Sequence, residues 1–306
     1  MKVGYAILYE DGTLVISKNH TLLQKSIIKD YGAFEGTDVS WKHESSQIKK
    51  IQILDQVKTN CMKAWFYNCI NLTTLIDFEN LDVSDCVDFS RMFASCKSLQ
   101  NLNELRNWNV SNSTKFSRMF AYCSSLENLN GLQNWNVSNG TNFSGMFYSC
   151  QALQNIDALK NWNVSNGKDF SSMFEFCGSL QNLNGLENWN VSNGTNFSGM
   201  FAFCESLQNL NGLQNWNVSN STDFSCMFSD CESLQNINGL ENWNISNGVN
   251  FSFMFKYCKL LQNILLPNTL SILRKDIFYK CNPTLKIHWK NHIYTYEDLL
   301  EYQTIS

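Results

Sequence analysis

The side chains with most chemistry to offer are twelve cysteines and four histidines. A cysteine nucleophile needs a base beside it, and zinc needs paired Cys or His ligands at short spacing. His20, His43, His288 and His292 lie towards the two ends of the chain, so the central cysteines have no histidine near them in sequence. His288 and His292 follow Cys281, but no Cys-x-x-Cys pair completes a ligand set, and no metal is expected. Neither GxGxxG nor GxxxxGK occurs, so no nucleotide or other cofactor is expected. The cysteines mark a period instead. Cys69, Cys96, Cys123, Cys150, Cys177, Cys204, Cys231 and Cys258 fall every 27 residues, and Cys281 follows after 23. That period is a solenoid signature, and ladders of identical groups suit binding better than catalysis. We expect no enzyme and no small-molecule substrate.

A repeated coil must position those cysteines, and Ser125 to Cys150 shows it: SLENLNGLQNWNVSNGTNFSGMFYSC. Phe143, Met146, Phe147 and Cys150 recur at i, i+3, i+4 and i+7, which predicts a short amphipathic helix, with Thr141, Thr195 and Thr222 as caps in their coils. Leu129 between Asn128 and Asn130 predicts a short strand. The Asn-Gly pairs at Asn139, Asn166, Asn193 and Asn247 predict turns with glycine at positive φ. The expected fold class is thus an α/β solenoid. Strands stacking at about 4.8 Å against helices at about 8 to 10 Å would curve it, strands concave and short helices convex. The same helix spacing would hold neighbouring cysteines beyond the roughly 7 Å limit for a disulfide, leaving core thiols suited to a reducing compartment. Cys226 is out of register on the outward side of its helix and is expected to be the reactive thiol. The tryptophans Trp108, Trp135, Trp162, Trp189, Trp216 and Trp243 read as core rather than a sugar platform, because Val or Ile follows each by two residues.

The ends differ from the middle. Residues 1–60 read as a β-rich cap, with strands Tyr5 to Leu8 and Thr13 to Ile16 around Glu10-Asp11-Gly12, then Trp41 and a β-like stretch from Ile48 to Ile53. Residues 61–258 form the solenoid, and 259–306 an atypical last repeat and C-terminal cap. In that cap Leu285, Ile287 and Trp289 suggest a strand, and Thr295 with Asp298 a capping box.

Twenty-seven acidic against 23 basic residues give a net charge of −4 and a pI near 5.6, a poor balance for a protein that lives on phosphate. No apolar run approaches the roughly 18 residues of a membrane span, so no membrane partner is expected. With Met1 as the start, MKVGYAILYEDG lacks a leader and a cytoplasmic protein is expected.

The stretch YAILYEDGTLV (Tyr5 to Val15), the block WFYNCINLTTL (Trp65 to Leu75) and the repeated MFxxCxSLxxL with NVSN resemble the BspA-like leucine-rich repeat family of bacterial surface proteins. The tail from Leu266 to Cys281, LPxxLxxLxxxxFxxC, is similar to the treponemal-type repeat. The resemblance implies a curved, right-handed, leucine-rich-repeat-like array used for binding, without a shared active site. Leu102 and Leu105 stand one residue further apart than in the commonest family pattern, which suggests a bulged strand.

Function is then sought in the positions that vary. One, two and five residues before each cysteine, pointing away from the Phe/Met face by helical geometry, stand Arg91, Arg118, Tyr122, Tyr148, Glu175, Phe176, Phe203, Asp230, Phe253 and Tyr257. The Arg, Tyr and Phe of this set form an expected convex protein-binding ridge. The alternative is a concave groove of Asn101, Asn128, Asn155, Asn182, Asn209 and Asn236 with their partners two residues on, stacked amides that bond one another or read RNA bases. The first expectation is a non-catalytic cytoplasmic protein that occupies a protein target, such as a phage- or mobile-element-type inhibitor of a host protein. An RNA-binding repeat protein and a surface adhesin are the alternatives.

Overall fold

The computed structural model describes residues 2–36, 39–301 and 304–305. At the amino end β1 (Lys2–Tyr9) and β2 (Thr13–Ser17) form the expected antiparallel hairpin, with Leu8 opposite Leu14. Its turn is set by Gly12 at φ 80° and by Asp11, whose Oδ1 accepts the Thr13 N–H at 3.0 Å. Beyond the antiparallel edge strand β3 (Ile27–Glu35), the chain changes to parallel rungs: β4 (Lys50–Ile53), β5 (Val57–Lys58), β6 (Thr74–Ile76) and β7 (Leu81–Asp82). β4 pairs with β2 on one side and β6 on the other, so the cap sheet runs straight into the first coil. Trp41 and Trp65 seal the junction edge to face, each indole N–H donating to a backbone carbonyl at 2.7 Å.

In the coils the segment ending at cysteine is not a helix. From Phe143 to Cys150, the N–H groups of Phe143, Gly145, Phe147 and Ser149 donate to Asp169, Ser171, Met173 and Glu175 of the next coil at 2.7–2.9 Å. The intervening Met146, Tyr148 and Cys150 close three-residue turns within the coil at 3.0–3.2 Å. An α-helix would spend every N–H internally and needs about 8 to 10 Å between neighbours. These coils are held to each other by alternate amides, and isolated parallel bridges run from Cys61↔Asp88 to Asp223↔Asn250. The double turn repeats every four residues, so over eight residues it places apolar side chains at the same offsets as a 3.6-residue helix. Thr141, Thr195 and Thr222 accordingly cap nothing: each hydroxyl donates to the preceding coil's carbonyl at 3.2 Å.

The strand expected around Leu129 is also absent. That segment holds short 3-10 turns where space allows, Asn103–Leu105 and Asp157–Leu159, and otherwise a turn with glycine, as at Gly131 with φ 105°. A Cβ on Gly131 would stand 2.1 Å from the Leu102 carbonyl oxygen. The extra residue between Leu102 and Leu105 is therefore taken up by a turn, not a bulge. Nor do the Asn-Gly glycines need positive φ; Gly140 is small because a Cβ would lie 2.4 Å from the Phe143 ring.

Side chains supply the remaining inter-coil bonds. In the NVSN tetrad the first Asn caps its own turn, Asn136 Oδ1 accepting the Ser138 N–H at 3.1 Å, while the second reaches back a coil, Asn139 Nδ2 donating to the Ser111 carbonyl at 2.7 Å. Each ladder tryptophan is buried and donates its indole N–H to a carbonyl 30 residues earlier, as Trp162 does to Leu132 at 2.9 Å. The register cysteines likewise donate inward, Cys150 Sγ to the Phe120 carbonyl at 3.3 Å. Equivalent phenylalanine rings along the turn ladder repeat at 5.3–6.1 Å, whereas the parallel tryptophan rings repeat at 6.3–6.4 Å. The array is thus longer on the tryptophan side. The face expected to be a convex helical surface is the narrow, inner one.

One hydrophobic core runs unbroken from Ala6 to Leu299. It ends in β8 (Asn263–Leu265), β9 (Leu273–Arg274), β10 (Lys286–Trp289), β11 (His292–Thr295), α1 (Tyr296–Glu301) and β12 (Thr304–Ile305). β10 is the expected strand, parallel to β8, and the Thr295–Asp298 capping box forms, the Asp298 N–H donating to Thr295 Oγ1 at 3.1 Å.

Because Trp162 both fills space and ties two coils, Trp162→Ala should cost about 3 to 5 kcal/mol. Trp162→Phe keeps a ring but loses the indole bond to the Leu132 carbonyl, which retains the Trp135 N–H at 3.2 Å, and should cost about 0.5 to 1.5 kcal/mol. Thermal and urea unfolding of the two variants check the order.

Candidate functional site

The double turn places a left-handed residue twice per coil, five and one residues before each register cysteine from Cys69 to Cys258, and once, at Lys280, before Cys281. These are the positions singled out by sequence variation. Seven of the eight ridge candidates are left-handed: Arg91, Arg118, Tyr122, Phe176, Phe203, Phe253 and Tyr257, with φ from 55° to 62°. Tyr148, two before its cysteine, is not among them. Sister coils use Gly145, Ser149, Ser95, Asn68 and Asp230 at the left-handed sites. Gly, Asn and Asp meet this conformation at least cost, whereas other side chains there cost of order 1 kcal/mol or more. The fold therefore does not need the aromatics where they stand.

They meet one another. Tyr122 and Tyr148 pack edge to face at 5.1 Å, Tyr148 and Phe176 at 5.5 Å, and Phe176 and Phe203 stack at 4.3 Å. Arg118 places its guanidinium 5.8 Å from the Tyr148 ring centre. Tyr122 is 42% exposed and Phe253 39%, while Tyr148, Phe176, Phe203 and Tyr257 are half-buried against their neighbours. The result is one ridge across four coils. Arg91, one coil before Arg118, is exposed at its basic end. A second cluster closes the array, where Phe253 and Tyr257 flank Tyr279 and the ammonium groups of Lys256, Lys259 and Lys280 lie 5.1–5.7 Å from the Tyr257 ring. Sequence reasoning missed Tyr279 and these lysines although Tyr279 and Lys280 stand two and one residues before Cys281 and Lys256 two before Cys258, the same offsets that define the ridge.

Half-buried Glu175 sits among these rings, its carboxyl raised above the usual range first by burial, with the Ser172 hydroxyl opposing. Asp230, by contrast, has Lys256 at 3.7 Å. The asparagine groove does not form as expected. Asn101, Asn128, Asn182, Asn209 and Asn236 each accept the N–H two residues on, at 3.0–3.4 Å, within their own coil. The amide ladder along the array belongs to the NVSN asparagines instead. Asn155 lies in the same half-buried row.

All twelve cysteines are free. Burial pushes the Cys123 and Cys281 thiols up to about 12. Cys226 is half-buried at a left-handed site, and burial raises its thiol too, so it is less activated than its outward position suggested. His288 bonds Asn263 at 2.6 Å and His292 the Lys290 carbonyl at 2.9 Å. Among the described residues no group of Cys, His, Asp and Glu could hold a metal.

Fold and face together define a repeat solenoid of the leucine-rich type with an aromatic inner ridge. The chain belongs to the family described as Mycoplasma protein of unknown function, DUF285, whose model matches residues 37–158 and 168–281, in agreement with the BspA-like repeats read in the sequence. No curated protein matches it. Among solved structures it is similar to a leucine-rich cell surface protein of Faecalibacterium prausnitzii (15% identity, 95% of each chain, TM-score 0.35). Others are a leucine-rich repeat protein of T. pallidum (15%, 76% of this chain and 87% of that one, TM-score 0.39) and one of Eubacterium ventriosum (13%, 96% and 99%, TM-score 0.40). Among the described residues no helix is long and apolar enough to cross a membrane.

Two outcomes follow from burial. Bulky thiol reagents on the native protein should modify only the half-buried Cys61 and Cys226, with the ten buried cysteines reacting after denaturation, as mass spectrometry would show. For Glu175, a raised folded pKa means the folded chain holds its proton more tightly than the unfolded one, so stability is lost as pH rises through that pKa. Glu175→Gln should therefore raise the melting temperature at neutral pH, with the gain shrinking towards about pH 4.

Proposed function

We propose that this protein is a non-catalytic binding solenoid that engages a protein target through the aromatic ridge Tyr122, Tyr148, Phe176 and Phe203. The observation that carries the reading is the placement of three of these bulky rings in left-handed backbone, one residue before the cysteine, where other coils have Ser, Asn or Asp. Aromatics held in strained backbone, Tyr122 exposed and Phe176 and Phe203 half-buried, support an interaction site, and Tyr and Arg are side chains that binding surfaces favour. On this reading the face acts by occupying a partner. Inhibition of a host protein is one form of such occupancy, and adhesion at a cell surface is another. The free thiol ladder suits a reducing compartment, which supports a cytoplasmic setting for the first.

The test replaces each ring by the residue a sister coil uses. Tyr122→Ser, Phe176→Ser and Phe203→Ser together should leave the melting temperature within a few degrees. They should abolish binding of proteins or fragments selected on the wild type from a displayed library, each anchor contributing about 2 kcal/mol or more. Retained binding, or binding lost on nuclease treatment, would sink the reading.

A further inference from the structure

The ridge carries two opposite charges, Arg118 and Glu175, that act on each other only from beyond ion-pair distance, the guanidinium drawing the carboxyl down without pairing with it. Gly145 leaves space along the face that Arg118 occupies: a Cβ there would stand 3.0 Å from Arg118 Cγ. Gly199 does the same for Glu175, whose Oε2 would lie 3.2 Å from an added Cβ. Both side chains therefore lie in shallow troughs opened by glycine two coils apart, with the Tyr148 ring between them and Phe176 and Phe203 alongside. Neither has an opposite charge within ion-pair distance among the described residues, whereas the carboxylates further along, Asp230 and Glu232, are paired with Lys256 at 3.7 Å and Lys259 at 2.7 Å. A half-buried carboxylate held by one hydroxyl and a distant guanidinium, and a guanidinium resting on a ring, are each improved by an incoming charge of opposite sign at close range.

Resting on the protein-binding reading above, we propose that the ridge takes an extended segment of a partner protein with an acidic side chain towards Arg118, an apolar or aromatic centre against Tyr148 and Phe176, and a basic side chain over Glu175. The narrow inner face favours an extended segment over a broad globular surface. Charge complementarity selects its chemistry: a polyanion would meet Glu175 in mid-ridge, and an uncharged apolar strand would leave both troughs unanswered.

The test uses the full chain and a displayed library of random 12-residue peptides. Peptides selected on the wild type should share an acidic and a basic position flanking an apolar pair. Selection on Glu175→Lys should replace the basic position by an acid, and selection on Arg118→Glu should replace the acidic position by a base. The wild-type consensus peptide, synthesised with a fluorescent label, should bind each variant at least tenfold more weakly by anisotropy. If peptides depend on Phe176 and Phe203 but are indifferent to both charge changes, the inference falls while the binding reading stands. If no peptide is enriched, or enriched peptides ignore the aromatic replacements, both fall. Concentration-dependent dimerisation lost in the same variants would make a second copy of the chain the occupant and overturn the inference.

Discussion

Everything in this array depends on how the eight residues before each cysteine divide their amides. Every second N–H goes to the next coil and the others close turns at home. The division sets the coil spacing at 5.3–6.1 Å along the phenylalanines, stacks the rings face to face, and excludes an α-helix from that segment of every regular coil. It also obliges two residues per coil into left-handed backbone, which is where the variable side chains stand. The surface is therefore a by-product of the hydrogen bonding: the positions freest to vary are those the core never sees.

The other two sides of the coil solve the same problem with side chains. Where the rings stand 6.3–6.4 Å apart, indole N–H groups tie the coils through carbonyls that also close a turn within their own coil. At the NVSN corner one amide shapes a turn and the other straps it to its neighbour. The thiols do the least bonding and the most fitting: small, apolar, and able to offer a weak donor to an inward carbonyl. That double duty accounts for cysteine at a position where chemistry seemed to beckon.

Much of this was legible in the sequence. The period, the caps with their hairpin and capping box, the buried tryptophans and the ridge positions all follow from spacing and residue type. The secondary structure inside the coil was not, for a definite reason: a four-residue double turn and a 3.6-residue helix drift apart by too little over Phe143 to Cys150 to be told apart by apolar spacing. The distinguishing signal was present in the residues that helices dislike. Gly145, Ser149, Gly199, Asn68 and Asp230 recur four apart at the two left-handed sites. The asparagines misled in the same way, since composition shows a ladder of amides but not whether each amide faces its own turn or the coil beneath.

The near-identity of the coils has a consequence for how the chain finds its place. Every inter-coil bond joins residues a fixed distance apart, so a coil looped out and bypassed would leave the remaining bonds chemically unchanged and the core nearly as well filled. Within the array, one alignment is almost degenerate with the next. What lifts the degeneracy are the features that occur once: β4 docking on β2, the paired tryptophans Trp41 and Trp65, and the shortened step to Cys281. The caps thus act as the origin and terminus of a ruler whose divisions carry no numerals.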